Sequence, residues 1–230
     1  MILCIETATD ICSAALCDVS NVLATAEAPP GRSHASSLTV IIGQLLEDKG
    51  LRVSDLEAVA VSKGPGSYTG LRIGVSAAKG LAYAAGIPLI GINTLAAMCS
   101  GYISSHPGEI TPSSLLCPMI DARRMEVYNA LFRHDGTIFR ETAADIIDEN
   151  SFNDILTDYR IIFFGNGSEK CSETIRHPNA LFEKGFRLSA SYLHMPAVNA
   201  LRNKHFEDLA YFEPYYLKEF IATIPGKLLP

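Results

Sequence analysis

A glycine-rich loop at residues 64–70 holds the residue types best suited to binding an anion. Gly64 and Gly66 lie between an apolar run and a helical pattern, where free backbone amides and the helix dipole favour a phosphate. The loop matches neither nucleotide fingerprint, because it lacks the terminal Gly-Lys-Ser/Thr of a P-loop and has Thr69 where a dinucleotide loop has its third glycine. Pro65 also removes one amide donor. Two interpretations stay open: a structural turn, or a contact for a phosphate or a partner.

Other catalytic chemistries lack their sequence signatures. The six histidines include no pair three or four residues apart, so no zinc site is expected. Ser67 is not part of a G-x-S-x-G elbow, which disfavours a serine hydrolase. The six cysteines form no C-x-x-C pair, which is typical of small buried residues in a reducing compartment. Acidic and basic side chains crowd residues 121–128, where a salt-bridged turn and a functional site remain equal alternatives.

Composition and charge favour a globular protein that does not bind nucleic acid unaided. The net charge is −6, and the largest cluster of basic residues is the pair Arg123 and Arg124. Any RNA is therefore expected to be held indirectly, through a partner. The uncharged stretch at residues 80–105 is interrupted by Gly86 and Pro88, so no membrane span is expected. Since the amino terminus also lacks a signal-peptide pattern, we expect a cytoplasmic protein.

The elements that would position these residues indicate an α/β fold. Three apolar runs open the chain as an antiparallel meander, and an amphipathic helix follows with its apolar stripe between positions 38 and 46. Residues 59–92 then give a strand, the glycine loop, a helix and a strand, the pattern of a parallel sheet. Another helix is expected over residues 94–103. This order resembles the ribonuclease-H-like lobe of actin, hexokinase and Hsp70 proteins, which implies an actin-like fold of mixed sheets covered by helices.

A second, reduced lobe of the same kind is expected after the first. Residues 104–114 are rich in proline, glycine and serine and form the predicted boundary. We therefore assign residues 1–104 to a first, partner-binding lobe and residues 105–230 to a second, smaller lobe, with a last helix that returns to the first lobe as an alternative. Within the second lobe we predict strands at residues 115–120, 126–133, 137–140 and 160–164, and a helix at residues 143–156.

The resemblance to actin-like proteins also gives a meaning to the turn after the first strand. Actin-like ATPases have an acidic residue there, followed by glycine and threonine that meet phosphate and metal. In this chain Ala8 replaces the glycine, and its side chain should narrow access to a phosphate. A stand-alone actin-like ATPase or small-molecule kinase is therefore kept as the alternative function. The candidate cofactor residues are Glu6, Thr7, Asp10, Gly64 and Gly66.

The helix after the glycine loop has one face almost without side chains. If Thr69 is its N-cap and Gly86 follows its last turn, small residues recur every fourth position. Each interior glycine costs about 0.5–1 kcal/mol relative to alanine, so a close backbone contact should compensate. That contact is either the chain's own sheet or a second subunit. The small residues are Gly70, Gly74, Ala78 and Ala82.

Several stretches together resemble the TsaB (YeaZ) family. The longest is Lys-Gly-Pro-Gly-Ser-Tyr-Thr-Gly-Leu-Arg-Ile-Gly at residues 63–74. The others are residues 2–9, His34, residues 78–82, residues 121–128 and residues 214–218. The resemblance implies the dimerisation subunit of the bacterial complex that makes threonylcarbamoyladenosine beside the tRNA anticodon. In its catalytic partner TsaD an Asn-His-x-x-x-His segment supplies metal ligands; here Thr94 and Met98 replace the histidines, so no metal site is expected.

The resemblance also implies how such a subunit acts. It is expected to be a non-catalytic scaffold that binds and activates a TsaD-like subunit, with a TsaE-like ATPase as a further partner and a homodimer when alone. No cofactor of its own is expected, and ATP only within the complex. A Gly74→Leu change is predicted to abolish assembly while the monomer stays folded. The predicted interface residues are His34, Leu38, Val40, Ile42, Gly70, Leu71, Gly74, Val75, Ala78 and Ala82.

Overall fold

The computed structural model describes residues 1–218, which form two mixed five-stranded sheets. The first sheet consists of β1 (Ile2–Glu6), β2 (Ser13–Cys17), β3 (Val22–Glu27), β4 (Ala58–Gly64) and β5 (Leu89–Asn93). Its order is β3-β2-β1-β4-β5, with antiparallel pairing from β3 to β1 and parallel pairing from β1 to β5. Because β1 and β4 are covered on both faces, their sequences are nearly continuous apolar runs.

Helices cover both faces of the first sheet. The α-helices of the described residues are α1 (His34–Asp48), α2 (Tyr68–Ala85), α3 (Thr94–Ser105), α4 (Asn153–Leu156) and α5 (His194–Arg202), of which α4 packs on the second sheet. Alternate residues of β1 point to opposite faces, so Leu3 and Ile5 pack with α1 and α2 while Ile2 and Cys4 pack with α5. α3 lies against the second sheet as well, because its Met98 shares a buried cluster with residues of that sheet.

The second sheet repeats the topology of the first. It consists of β6 (Ser114–Asp121), β7 (Glu126–Arg133), β8 (Ile138–Ile146), β9 (Arg160–Phe164) and β10 (Ala180–Phe182). Its order is β10-β9-β6-β7-β8. Written in reverse, β8-β7-β6-β9-β10, it matches the order β3-β2-β1-β4-β5 of the first sheet, with β6 as the counterpart of β1. The connections are shorter than in the first lobe: α4 has one turn, and a three-residue 3-10 helix, Glu169–Cys171, stands where the first lobe has α2. The second lobe is therefore reduced; the boundary at residue 104 stays a prediction.

The structure corrects two local predictions. The helix predicted at residues 143–156 is wrong, since β8 continues to Ile146 and only α4 is helical in that stretch. The strand is held by Asp145, which accepts hydrogen bonds from Asn129 and Arg140. The predicted N-cap of α2 is also wrong, because Ser67 rather than the threonine two residues later accepts the backbone hydrogen bond of Gly70, at 3.2 Å.

No helix within residues 1–218 is both long enough and apolar enough to cross a membrane.

Candidate functional site

The first turn and the glycine loop meet at the carboxyl edge of the first sheet. β1 and β4 are parallel neighbours, so the segments that follow them emerge side by side. The backbone amide of Ser67 donates a hydrogen bond of 2.7 Å to the carbonyl of Ala8. A side chain on Gly66 would overlap both the carbonyl and the methyl group of Ala8. The two segments therefore pack directly against each other and leave no space between them.

Glu6 points into the protein interior rather than into a cleft. Its side chain is fully buried; Oε1 accepts a hydrogen bond of 2.6 Å from the amide of Ala8, and Oε2 accepts one from the hydroxyl of Ser62. Burial raises the pKa of the Glu6 carboxyl to about 7, and these hydrogen bonds only partly oppose the shift. A carboxyl group that is enclosed in this way holds the first turn to β4 through its two internal hydrogen bonds.

Thr7 packs directly against α2. It is fully buried, and its hydroxyl has no hydrogen-bond partner among the described residues. A side chain on Gly70 would overlap the Thr7 carbonyl, and one on Gly74 would overlap the Thr7 hydroxyl. The helix axis consequently lies as close to the turn as a backbone without side chains permits.

The two remaining cofactor candidates lie apart from this contact. Asp10 is exposed and lines a cleft of about 290 Å³ between the two sheets, together with Asn166 and Arg187. Gly64 has a left-handed φ of 119°, and a side chain there would meet the carbonyl of Tyr215 at 2.5 Å. The five candidates therefore do not converge on one site.

The arrangement does not fit a nucleotide phosphate. In a phosphate site the first turn and the glycine loop would both direct free amides at the ligand. Here the Ser67 amide is already bonded to Ala8, and the Gly70 amide is bonded to the side chain of Ser67. The cleft beside Asp10, at about 290 Å³, also falls just below the range of about 300–1,000 Å³ typical of ligand pockets.

The bare face of α2 packs on the chain's own first turn and sheet. Gly70, Gly74, Ala78 and Ala82 are all buried within the single chain. The interpretation of this face as the subunit contact is therefore wrong, and Gly74→Leu is now expected to disturb the folded monomer, since even a Cβ there would overlap the Thr7 hydroxyl. Four further interface candidates are also core residues of the single chain: Leu38, Ile42, Leu71 and Val75.

Two interface candidates do remain at the surface of α1. Val40 is 53% exposed. His34 is half-buried, and its Nε2 lies 2.9 Å from the carbonyl of Thr9, which ties the start of α1 to the first turn. The outward side of α1 and α2 also has space beside Gly43 and Gly80, where no atom lies within 4 Å of an added Cβ. This outer surface, not the inner ridge, is available to a partner.

Sequence reasoning missed the segment at residues 205–218, which crosses the first lobe. The amide of Tyr215 donates a hydrogen bond of 2.6 Å to the carbonyl of Lys63. The ring of Tyr216 lies 4.9 Å from the ring of Tyr68, and its hydroxyl accepts a hydrogen bond of 3.2 Å from Arg72. Residues 214–218 stood out in the sequence only as a motif, and their position far along the chain gave no sign of this contact.

The stretch at residues 121–128 is a salt-bridged turn between β6 and β7. Lys170 reaches it from the 3-10 helix and bonds the carboxylate of Asp121 and the carbonyls of Arg124 and Glu126, the last at 2.7 Å. Lys218 forms an ion pair with Glu126, so this turn also touches the carboxyl-terminal segment. Of the two interpretations of this motif, the structure shows the salt-bridged turn. The side chains of Arg123 and Arg124 are exposed and take no part in its ion pairs.

The positions that would hold metal ligands are apolar or buried here. Thr94 is fully buried, and Met98 packs in the core between α3 and the second sheet. Within the described part of the chain, no group of three or more histidine, cysteine, aspartate or glutamate side chains is close enough to hold a metal ion.

Comparison with known proteins places the chain in a family. The family model described as "TsaD: tRNA N6-adenosine threonylcarbamoyltransferase" matches residues 22–224. A protein of Haemophilus influenzae named "tRNA threonylcarbamoyladenosine biosynthesis protein TsaB" is 34% identical, with 98% of each chain aligned. The chain belongs to the TsaB (YeaZ) family. The Escherichia coli TsaB is 38% identical over a shorter region, 58% of this chain and 55% of that protein.

A solved structure supports the fold of this TsaB-family chain. YeaZ from Pseudomonas aeruginosa has a TM-score of 0.79 at 23% identity, and the alignment covers 94% of this chain and 99% of that one. This likeness concerns the fold alone. Together with the repeated strand order of the two sheets, it confirms the predicted actin-like, ribonuclease-H-like α/β fold.

Proposed function

We propose that this protein is a non-catalytic scaffold subunit for threonylcarbamoyl transfer to the tRNA adenosine beside the anticodon. Its TsaB relatives are named for tRNA threonylcarbamoyladenosine biosynthesis, and the family model that it matches is named for the transferase. In this proposal the chain binds a TsaD-like catalytic subunit and activates it by fixing its conformation. A TsaE-like ATPase joins the assembly, the chain pairs with itself when alone, and tRNA is positioned mainly by the partner.

The closed first turn is the observation that most favours a scaffold over an enzyme. A phosphotransferase or ATPase of this fold would use the turn after β1 and the glycine loop to hold phosphate. In this chain Glu6 is bonded inside the core, Thr7 is pressed against α2, and the amide of Ser67 is bonded to Ala8. The groups that would serve catalysis are thus used to join β1 to α2. The proposal accordingly gives the chain no nucleotide of its own and admits ATP only within the complex.

The outer surface of α1 and α2 is the surface we assign to the partner. Gly43 and Gly80 provide room for the close approach of another helix, and Val40 supplies an exposed apolar side chain. Ile73 and Leu81 are half-buried on the same side of α2. An apolar patch on packed helices, interrupted by glycine, suits helix-on-helix contact with a second subunit.

The test is assembly with a TsaD-like protein from the same organism. Gly43→Leu and Gly80→Leu should each abolish the complex on a sizing column, because leucine would occupy the space the partner needs. Both positions are exposed on helices, so circular dichroism should remain unchanged. Asn199→Leu, an exposed position of α5 on the opposite face of the first sheet, is the matched control and should assemble normally.

The alternative of an independent ATPase makes the opposite prediction. The purified single chain would then hydrolyse ATP, and Asp10→Asn would abolish the activity. We expect no turnover by the chain alone and full threonylcarbamoyl transfer by the assembled complex. Normal assembly and transfer by both leucine variants would refute the proposed surface.

A further inference from the structure

The turn between β6 and β7 presents two adjacent arginines in an uncommon backbone conformation. Arg123 has a φ of 72° and Arg124 a φ of 50°, the left-handed region that favours glycine or asparagine. Glycine would adopt this backbone conformation with less strain than arginine, so the two arginines indicate a requirement other than the turn itself. Both arginine side chains are exposed to solvent.

The turn is held rigidly from its inner side. The Arg123 amide donates a hydrogen bond of 2.8 Å to Asp121, and the Asp121 amide donates one of 3.1 Å to the side chain of Asn166. Lys170 bonds two backbone carbonyls of the turn in addition to Asp121. These contacts fix the backbone without using either guanidinium group, so the arginine side chains project from a preformed support.

The charges around the turn leave the arginines uncompensated. Asp121 is paired with Lys170, and Glu126 is paired with Lys218. Within residues 1–218 neither Arg123 nor Arg124 has an acidic partner. Two lysines thus offset the two carboxylates of the turn itself, and Arg123 and Arg124 add an excess of two positive charges within the turn, on a chain whose net charge is −6. Such an excess on a preformed turn is suited to a polyanion.

An aromatic surface lies next to this charge. Lys218, which binds the turn through Glu126, is two residues from Tyr216, or at most about 7 Å along the chain. Tyr216 packs with Tyr68, and the guanidinium of Arg72 lies 4.5 Å above the Tyr68 ring. Tyrosine and arginine planes next to exposed cations are typical of surfaces that contact RNA.

We propose that the turn at residues 121–126, with the neighbouring Tyr216 and Arg72, is a direct contact for the phosphate backbone of the tRNA substrate. This inference rests on the proposed function and goes beyond it, since that function places tRNA mainly on the partner. Arg123 and Arg124 each bind a phosphate, and the aromatic pair lies within reach of an unstacked base. Because this proposed contact ends at Arg72, in the second turn of α2, the RNA would pass near the partner-binding surface.

The experiment measures binding of an unmodified tRNA transcript that reads codons beginning with A. The complex with the TsaD-like subunit is titrated at salt concentrations from 0.05 to 0.3 M, values chosen about the physiological range. Arg123→Gln/Arg124→Gln should raise the dissociation constant roughly 20-fold at about 0.15 M salt, if each lost phosphate contact removes about 0.8 from the salt slope. The slope itself should fall by about 1.4–1.8. In the transfer reaction the KM for tRNA should rise while kcat changes little.

Two further variants separate charge from structure. Arg123→Lys/Arg124→Lys keeps both charges and should keep the salt slope. Arg123→Gly/Arg124→Gly suits the left-handed backbone, so it should fold at least as stably as the unmodified protein and still lose tRNA affinity. Arg133→Gln/Arg160→Gln removes two exposed arginines at the other end of the second sheet, roughly 23 Å away along β6, and should bind tRNA normally.

The outcomes distinguish this inference from the function on which it rests. Binding by the isolated chain at low salt should show the same loss with the glutamine variant, so this readout does not require the partner. If the complex fails to form but this loss is seen, the proposed function is wrong and the RNA contact stands. An unchanged dissociation constant and salt slope would overturn the inference. Weaker assembly with normal tRNA affinity would also overturn it, since the turn would then dock a protein.

Discussion

Replacing Glu6 with glutamine should make the protein more stable at alkaline pH and change little at acidic pH. The Glu6 carboxyl is fully buried, and burial raises its pKa from 4.5 to about 7. Below pH 4.5 the group is protonated in the folded and the unfolded chain. As the pH rises, the unfolded chain ionises first, so the stability present at low pH is progressively lost and reaches its minimum contribution above pH 7.

The size of the effect follows from the shift in pKa. A shift of one unit corresponds to about 1.4 kcal/mol, so the difference between the folded and the unfolded chain amounts to about 3 kcal/mol at pH 8. Glutamine is neutral at every pH, so the variant does not lose stability as the pH rises. Its carbonyl can still accept the hydrogen bond of the Ala8 amide, and its NH₂ group can donate to the hydroxyl of Ser62, so Glu6→Gln retains the local contacts.

The assay is urea unfolding of both proteins at pH 5 and pH 8. At pH 8 the variant should gain up to about 3 kcal/mol, which for a chain of this size raises the Tm by roughly 6–12 °C. At pH 5 the gain should fall below about 1 kcal/mol, because the folded carboxyl is protonated there and only the unfolded chain is partly ionised. Glu141→Gln, the same change at an exposed position of β8, is the control for the loss of one carboxyl group.

Parallel pH dependences of the unmodified protein and Glu6→Gln would refute this reasoning. They would mean that Glu6 is ionised in the folded protein and contacts water or a cation. In that case the first turn would be open to a ligand, and the stand-alone ATPase would become the better account of the chain.

Three further predictions concern the contact between the first turn and α2. Gly74→Ala should lower the free energy of unfolding by about 1–3 kcal/mol, since the methyl group would overlap the Thr7 hydroxyl. Gly80→Ala should raise it by about 0.5–1 kcal/mol, because no atom lies near that position. Thermal melts of the two variants test the difference. Thr7→Val should raise stability by about 1 kcal/mol by removing an unpaired buried hydroxyl, and assembly with the partner should be unaffected on a sizing column. Ser67→Ala should cost about 1 kcal/mol in urea unfolding, because the Gly70 amide loses its cap.

The sequence predicted most of the first lobe because its signals are local. β1 and β4 are apolar runs that end in polar or glycine-rich turns, and α1 has a regular apolar stripe. In the second lobe, segments that are short and have a weak hydrophobic pattern were harder to predict. In β8 the pairing with β7 overrides a composition that favours a helix at residues 143–146, so tertiary contacts decided the outcome.

The orientation of α2 was the least predictable part of the candidate site. Spacing identifies which residues share a face of the helix but not what lies opposite them. Small residues occupy both sides, with Gly70 and Gly74 inside and Ser76, Gly80 and Ala84 outside. The neighbouring side chains held the missing signal, since Leu71 adjoins the inner ridge and is buried, whereas Arg72 is exposed.

The contacts of the carboxyl-terminal segment were beyond sequence reasoning because they join residues far apart in the chain. Arg72 and Tyr216, like Lys63 and Glu207, are separated by 144 positions. A motif at residues 214–218 can mark a segment as special without indicating where it lies. Only the folded chain shows that it links the start of α2 to the turn at residues 121–126.

A rigid first turn fits the scaffold role that we propose for this chain. If Ala8 were glycine, the first turn would gain freedom and Gly66 would lose the methyl group against which it packs. With Ala8 in place, β1, the glycine loop and α2 are joined by direct backbone contacts, so the outer surface of α2 is held at a fixed position. A scaffold needs that fixed surface, whereas an ATPase needs the turn to open around a nucleotide. The sequence at this turn therefore favours binding of a partner over binding of a ligand.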